Sequence, residues 1–318
     1  MTPSVFIDGH AGTAGLRIRE WLRDRDDLTL VTLEGQARKD PDARRRALNT
    51  SDLVVLCLPD EAAREAVGWI ESPGVRVLDA STAHRVAPDW VYGLPELVPG
   101  HRSRIGAATR VSNPGCYPTG VILLVRPLID AGLLSPDLPL TVEALSGYSG
   151  GGRTLIERWE DPKRGLLNLP YAAPYALERV HKHVPEMVES LGLRREPCFV
   201  PAVGPFRCGM RIQIPLHAAS LPSGTTAKQL HEVIEERYAA EPFVRVQPFA
   251  EPLETDERTF DPRSCNDTNR IELWVVGNPL GHVRLVACLD NLGKGAAGVA
   301  IQCVNLMLGV PEERGLRA

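Results

Sequence analysis

The opening residues restrict the fold of this chain more than any other stretch. Pro3-Ser4-Val5-Phe6-Ile7-Asp8 is a short apolar run suited to a buried strand. Gly9-His10-Ala11-Gly12-Thr13-Ala14-Gly15 comes next, and residues 16–22 then set Leu16, Ile18, Trp21 and Leu22 among Arg17, Arg19 and Glu20, as an amphipathic helix does. Strand, glycine turn and helix is the context that a dinucleotide-binding loop requires. Glycine lets the backbone approach a pyrophosphate, and the helix start offers free N–H groups to it. The spacing is G-x-x-G-x-x-G rather than G-x-G-x-x-G, so an ordinary glycine-rich turn shares the pattern. The residues beyond the turn favour the dinucleotide loop. Residues 28–33, 51–59 and 75–80 are further strand-like runs, and a helix begins at Asp60. Strands alternating with helices give an open parallel sheet, so the N-terminal part reads as a doubly wound Rossmann domain of the α/β class. Gly9, Gly12, Thr13, Ala14 and Gly15, with Pro59 where the strand at 51–58 ends, are the expected cofactor contacts. Glu34 stands near the end of the second strand, where NAD-specific domains hold the ribose. The basic pair Arg38-Lys39 beyond it suits a 2′-phosphate, which favours NADP(H) over NAD.

A chain of 318 residues favours two domains, since single cores stop growing near roughly 250–300 residues. With 43% hydrophobic and 24% charged residues it has a globular composition, and a net charge of -4 gives no nucleic-acid surface. No apolar run approaches the ~20 residues of a membrane span. Met1-Thr2-Pro3-Ser4 has no basic leader region, so no signal peptide is expected. Seven cysteines, widely spaced and without a CxxC, argue against a disulfide framework and against a metal site; a reducing cytoplasm is expected.

One of those cysteines has unusual surroundings. In Val111-Ser112-Asn113-Pro114-Gly115-Cys116-Tyr117-Pro118-Thr119-Gly120, Cys116 lies between two prolines and two glycines, and the apolar run 121–125 comes after. Pro118 suits the first turn of a helix, so Cys116 is placed at a helix N-terminus, where partial positive charge favours the nucleophilic thiolate. A buried cysteine packed as a small hydrophobe is the plainer alternative.

From about residue 138 the rhythm changes. Residues 140–145, 199–203, 211–216, 270–276 and 283–288 read as strands of a mostly antiparallel second sheet, giving an α+β domain. Residues 227–238 read as a helix capped by Thr226, with Gln229 completing a capping box. Ser146-Gly147-Tyr148-Ser149-Gly150-Gly151-Gly152-Arg153 reads as a flexible polar loop suited to lining a site, with Ser146, Tyr148 and Arg153 as substrate contacts. His181 and His183 stand just before a helix that starts at Pro185-Glu186, and either suits acid/base work. At the C-terminal edge of the strand 75–80, Ser81 and Arg85 face the expected ligand side; an arginine there suits an anionic substrate. The run 299–308 is expected to form a long helix returning to the first domain near the cofactor, with Asn291 as a cofactor contact on its approach. The resulting division is a dinucleotide-binding domain at 1–116, rejoined by 290–318, and a catalytic and oligomerisation domain at 117–289.

Taken together these stretches resemble the N-acetyl-gamma-glutamyl-phosphate reductases of the shorter, type 2 form, within the aspartate-semialdehyde dehydrogenase superfamily. The resemblance lies in the glycine loop, Asp79-Ala80-Ser81-Thr82-Ala83-His84-Arg85, Tyr92-Gly93-Leu94-Pro95-Glu96-Leu97, the Cys116 segment, Ser146-Gly147-Tyr148-Ser149-Gly150, His181-Lys182-His183-Val184-Pro185-Glu186 and Asn291-Leu292-Gly293-Lys294-Gly295-Ala296-Ala297. It implies NADPH-dependent reduction of N-acetyl-L-glutamyl 5-phosphate to the 5-semialdehyde in arginine biosynthesis, through a thioester on Cys116. It further implies Asn113 beside the substrate oxygens, His181 or His183 as acid/base, and a homodimer or homotetramer. Gly209-Met210 stands where wider relatives carry Gly-His, which leaves the acid/base role to the His-x-His loop. Three alternatives remain open at this level: an aspartyl- or aminoadipyl-phosphate reductase, a Cys-His hydrolase or acyltransferase, and a nucleotide-sensing module.

Overall fold

The computed structural model describes residues 2–318; Met1, the head of the segment read as leaderless, lies outside the described residues. The chain forms two compact units. One takes the described residues through Pro114 and resumes at Ala296–Arg317; the other is Gly115–Gly295.

The first unit is built on β1 (Ser4–Asp8), β2 (Thr29–Val31), β3 (Leu53–Leu56), β4 (Arg76–Asp79), β5 (Val91–Tyr92) and β6 (Arg110–Ser112). These pair in the order β2-β1-β3-β4-β6-β5, every pair parallel. Strand side chains alternate between the faces of a sheet, and both faces here are apolar. Val5, Ile7, Leu53, Val55 and Leu78 point to a core shared with Ile18 and Leu22 of α1 (Thr13–Leu22). Phe6, Val54, Leu56 and Val77 point the other way, to Leu48 of α2 (Pro41–Thr50) and Ala63 and Ala66 of α3 (Asp60–Gly68). That is the doubly wound arrangement expected. The strand order reverses at β1, so the ends of β1 and β3 form the switch point where such sheets take ligands. Asp40 caps α2 by accepting from the Asp42 amide, with Pro41 in the first turn. α4 (His101–Ala107) contributes Ile105 to the first core.

The second unit begins with α5 (Cys116–Asp130), a helix buried along most of its length. Its seven-stranded sheet contains β7 (Thr141–Gly147), β8 (Ala173–Pro174), β9 (Cys198–Gly204), β10 (Met210–Leu216), β11 (Val244–Val246), β12 (Ile271–Gly277) and β13 (Val283–Leu289), in the order β11-β12-β13-β10-β7-β9-β8. Four neighbouring pairs are antiparallel; β7 with β9 and β11 with β12 run parallel. Gly120 lets α5 lie against the sheet, since a side chain there would overlap Ile212. The helices α6 (Gly152–Glu160), α7 (Val184–Leu191) and α8 (Ala227–Tyr238) complete the unit. The capping box is present: Thr226 accepts from the Gln229 amide at 3.2 Å, and Gln229 accepts from the Thr226 amide at 2.9 Å.

One element departs from expectation. The stretch after Ser146 is not a flexible loop. Residues Tyr148–Gly151 form a 3-10 turn that leads straight into α6. Tyr148 is buried there, stacked on Trp159 with ring centroids 5.7 Å apart, and it anchors a small core with Val203. Burial of two aromatic rings outweighs the entropy that the glycines would otherwise retain.

After β13, a π-type turn at Gly293–Ala297 leads into α9 (Gly298–Leu308). α9 belongs to the first unit, with Ile301, Val304 and Met307 in the core of α1 and β1. Among the described residues no helix is long and apolar enough to cross a membrane, and no group of three or more His, Cys, Asp or Glu could hold a metal ion.

Candidate active site

In the first unit, Gly9 and Gly15 after β1 build a cradle with no room for side chains. Gly9 has φ +87, in the left-handed region. A Cβ on Gly15 would come within 2.6 Å of the Gly9 carbonyl oxygen and 2.8 Å of the His10 Cα. The Gly12 amide donates to the Gly9 carbonyl at 3.0 Å and closes the turn. Helix α1 starts at Thr13 with no side-chain cap, so its first-turn N–H groups remain available to an anion. Pro59 caps α3 at the end of β3, the neighbouring strand at the switch point. These features fit a dinucleotide. Beyond β2, the Glu34 carboxylate lies 3.4 Å from Arg19 and 3.6 Å from the buried His10. Burial lowers the His10 pKa, Glu34 works against that, and Arg19 and Arg38 add to the lowering, so Arg38 lies within electrostatic reach of the turn. Lys39 is exposed next to it.

At the ends of β4 and β6, Ser81, Arg85 and Asn113 come together. The Ser81 hydroxyl donates to Asp79 at 2.7 Å, and His84 Nδ1 lies 2.6 Å from the same carboxylate. Arg85 Nε donates to the Asn113 carbonyl at 2.9 Å, and the Asn113 carboxamide donates to the Ala296 carbonyl at 3.1 Å.

In the second unit, Cys116 is the first residue of α5 and is half-buried. Gly115 is the N-cap, with no side chain capping the helix. Its own amide donates to Oε2 of Glu186 in α7 at 2.9 Å, and the Glu186 carboxylate is buried. Gly295 closes on the other side: a Cβ there would lie 2.8 Å from that of Cys116. Two other thiols of this unit differ in kind. Burial pushes Cys265 and Cys288 up, which keeps them protonated and inert.

The histidines meet at Tyr117, the residue after Cys116. The Tyr117 ring centroid is 5.8 Å from those of both His181 and His183. Tyr175 donates its hydroxyl to that of Tyr117 at 3.1 Å and lies 3.4 Å from His181 Nε2. The His183 amide donates to His181 Nδ1 at 3.2 Å. Burial lowers the His181 pKa to about 4, helped by the charges of Lys182 and Arg179. Burial raises the Tyr117 hydroxyl well above its usual value and pushes Tyr175 up to about 12; the charge of Cys116 adds to both. Ser146, at the end of β7, is buried and hydrogen-bonds the Tyr117 hydroxyl.

The expected residues therefore divide. Cys116, His181, His183 and Ser146 gather around Tyr117. Arg153 does not join them: its side chain is 80% exposed on α6 and pairs with Glu157 at 2.7 Å. Tyr148 turns inward to Trp159 and donates to Glu160 at 3.1 Å. Asn291 is committed within the second unit, donating to Ser149 at 2.9 Å and accepting from the Gly209 amide at 2.8 Å. Sequence reasoning passed over Tyr117, Tyr175, Glu186 and Gly295 as site residues. The position of Glu186 in a helix first turn was visible; its burial under the cysteine turn was not.

The semialdehyde dehydrogenase NAD binding domain matches residues 13–105, and the semialdehyde dehydrogenase dimerisation domain matches residues 116–291. N-acetyl-gamma-glutamyl-phosphate reductase 2 of Nostoc sp. is 48% identical over 99% of both chains. N-acetyl-gamma-glutamyl-phosphate reductase of Burkholderia cenocepacia is 50% identical over 96% of this chain and 97% of its own. Among solved structures, aspartate semialdehyde dehydrogenase from Francisella tularensis superposes with a TM-score of 0.70 at 14% identity, covering 96% of this chain and 100% of its own. The aspartate semialdehyde dehydrogenase II of Vibrio cholerae gives 0.67 at 16%, over 97% and 99%. The structures support the fold; the sequence relatives go further, and with the two domain matches they show that this chain belongs to the N-acetyl-gamma-glutamyl-phosphate reductases of the semialdehyde dehydrogenase family.

Proposed function

We propose that this chain reduces N-acetyl-L-glutamyl 5-phosphate to N-acetyl-L-glutamate 5-semialdehyde and phosphate, with NADPH, in arginine biosynthesis. One observation carries the reading: a half-buried cysteine opens an uncapped helix beside a pair of histidines. The Cys116 thiolate attacks the acyl carbon, the acyl C–O bond breaks and phosphate leaves with the electron pair, giving a thioester. First-turn N–H groups of α5 are suited to the developing oxyanion. When bound, the reduced nicotinamide supplies a hydride to the thioester carbon. Cys116 then departs as thiolate and the aldehyde forms.

His183 is the acid/base that takes the thiol proton. What supports it over His181 is the hydrogen bond from the His183 amide to His181 Nδ1, which leaves that nitrogen no room for a proton. Arg85, with Ser81 and Asn113, holds an anionic end of the substrate, and Ser146 contacts it near the sulfur. The glycine turn, Thr13, Ala14 and Pro59 hold the dinucleotide, and Arg38 with Lys39 takes its 2′-phosphate. The protein acts as a homodimer or homotetramer through residues 116–291, as a cytoplasmic enzyme.

The test is phosphate- and NADP-dependent oxidation of N-acetylglutamate semialdehyde by the purified protein, run beside aspartate and aminoadipate semialdehydes. Turnover of the first alone is expected. Preference for either of the others overturns the substrate assignment.

A further inference from the structure

The hydroxyls around His181 form a directed chain. The His183 amide can only donate, so His181 Nδ1 is the acceptor and carries no proton. The imidazole proton of the neutral ring therefore sits on Nε2, 3.4 Å from the Tyr175 oxygen. That leaves the Tyr175 hydroxyl to donate onward, to Tyr117 at 3.1 Å. Phe199 closes the cluster: its ring lies 5.0 Å from Tyr117 and 5.1 Å from His181, each edge to face. Tyr117 is covalently next to Cys116, and Tyr175 sits 58 residues further along. Glu178, Arg179 and Lys182 are the charged groups on the histidine loop, with Arg179 3.6 Å from the Glu178 carboxylate, and Cys116 faces from α5.

We infer that Tyr175 is a positioning residue for the thioester chemistry: its hydroxyl, held between Tyr117 and His181, fixes His181 as the Nε2–H tautomer, and His181 in turn holds the backbone from which His183 works. The inference rests on the Cys116 reading above and adds to it a part for two groups that do not touch substrate. A buried hydrogen-bond chain of this kind orients its members only while each link is made. Removing the hydroxyl of Tyr175 leaves His181 Nε2 without its partner and frees the ring to turn, which releases the His183 amide. The acid/base is then present but misplaced, and misplacement of about 1 Å costs up to ~100-fold in rate.

The test is Tyr175→Phe, which keeps the ring and its edge contacts. Turnover of N-acetylglutamate semialdehyde is measured against pH, and the His181 tautomer is read from its ring-nitrogen NMR shifts. The expected result is kcat lower by about 10- to 100-fold with KM little changed, and a His181 signal no longer that of a single tautomer. An unaltered kcat–pH profile with His181 still purely Nε2–H overturns the inference. His181→Asn is the second variant. Its side-chain oxygen still accepts from the His183 amide, so it retains more activity than His181→Leu; equal loss in both overturns the inference even if Tyr175→Phe does not fold. Cys116→Ser run alongside separates the two readings: survival of turnover there defeats the covalent mechanism itself, whereas a dead Cys116→Ser with an unaltered Tyr175→Phe defeats only the positioning chain.

Discussion

Gly295 stands against Cys116 so closely that a methyl group on the glycine would come within 2.8 Å of the cysteine Cβ and 3.1 Å of the Asp290 carbonyl oxygen. Two residues 179 positions apart in the chain thus share one wall of the site. Gly295→Ala is expected to displace the sulfur. Turnover should fall by about 100-fold, while nucleotide affinity, set in the other unit, stays as it was. Stopped-flow turnover and fluorescence titration with NADPH check both halves. Unfolding by urea should show a loss of about 1–3 kcal/mol, the usual cost of overpacking.

Cys116→Ser removes the proposed nucleophile and changes little else. Semialdehyde oxidation should fall on the order of a thousandfold or more, and NADPH binding should persist. Mass spectrometry of the wild-type protein mixed with acyl phosphate, without nucleotide, should show the acyl adduct on residue 116 and none in the variant.

The carboxylate of Glu186 accepts from the Gly115 amide at the cap of α5. Glu186→Ala leaves that buried donor without an acceptor and should cost about 1–3 kcal/mol of stability. Glu186→Gln keeps an acceptor oxygen and should recover most of the loss. Equal destabilisation in the two variants would show that charge, not the hydrogen bond, matters at this position.

His181 titrates at about 4 in the folded protein against its usual 6.5. The unfolded chain therefore binds more protons between these values, and stability falls as pH drops from about 6.5 towards 4, levelling below that. His181→Asn should flatten this part of the stability curve. The pH dependence of activity around neutrality should be unchanged in the same variant, because His181 is already neutral there.

Arg38→Ser tests the nucleotide preference. Loss of a charge-assisted contact to a 2′-phosphate should raise KM for NADPH by about tenfold or more and leave KM for NADH unchanged. A parallel rise with both nucleotides would show that Arg38 does not read the 2′-phosphate.

Much of the fold was legible because it is written in local patterns. Val5, Phe6 and Ile7 make an unbroken apolar run ending at a glycine turn, as a strand buried on both faces does, and Thr226 with Gln229 marks the start of α8 to the residue. Cys116 at a helix start followed from its prolines and glycines. What local patterns did not carry has a different cause. Tyr148 and Trp159 stack only once α6 exists, so a glycine-rich string looked flexible. Tyr117 and Tyr175 are linked by hydroxyls across 58 residues, and no spacing rule reaches that far. The parallel pairing of β7 with β9 depends on what lies between them, and Asn291 beside Ser149 depends on where a loop returns. Side chains that act through distant partners are the ones a linear reading misplaces.

The first unit owes one face of its sheet to α9, which brings Ile301, Val304 and Met307 onto Val5, Ile7, Leu53 and Val55, and Asn305 onto Arg25 at 2.8 Å. During translation those covering residues leave the ribosome well after the strands they cover. The strands made first must wait with one apolar side open, while the segment from 115 to 295 has emerged whole. A nascent chain of this protein therefore finishes its middle before its beginning, and a stop codon placed just before α9 injures the unit encoded first.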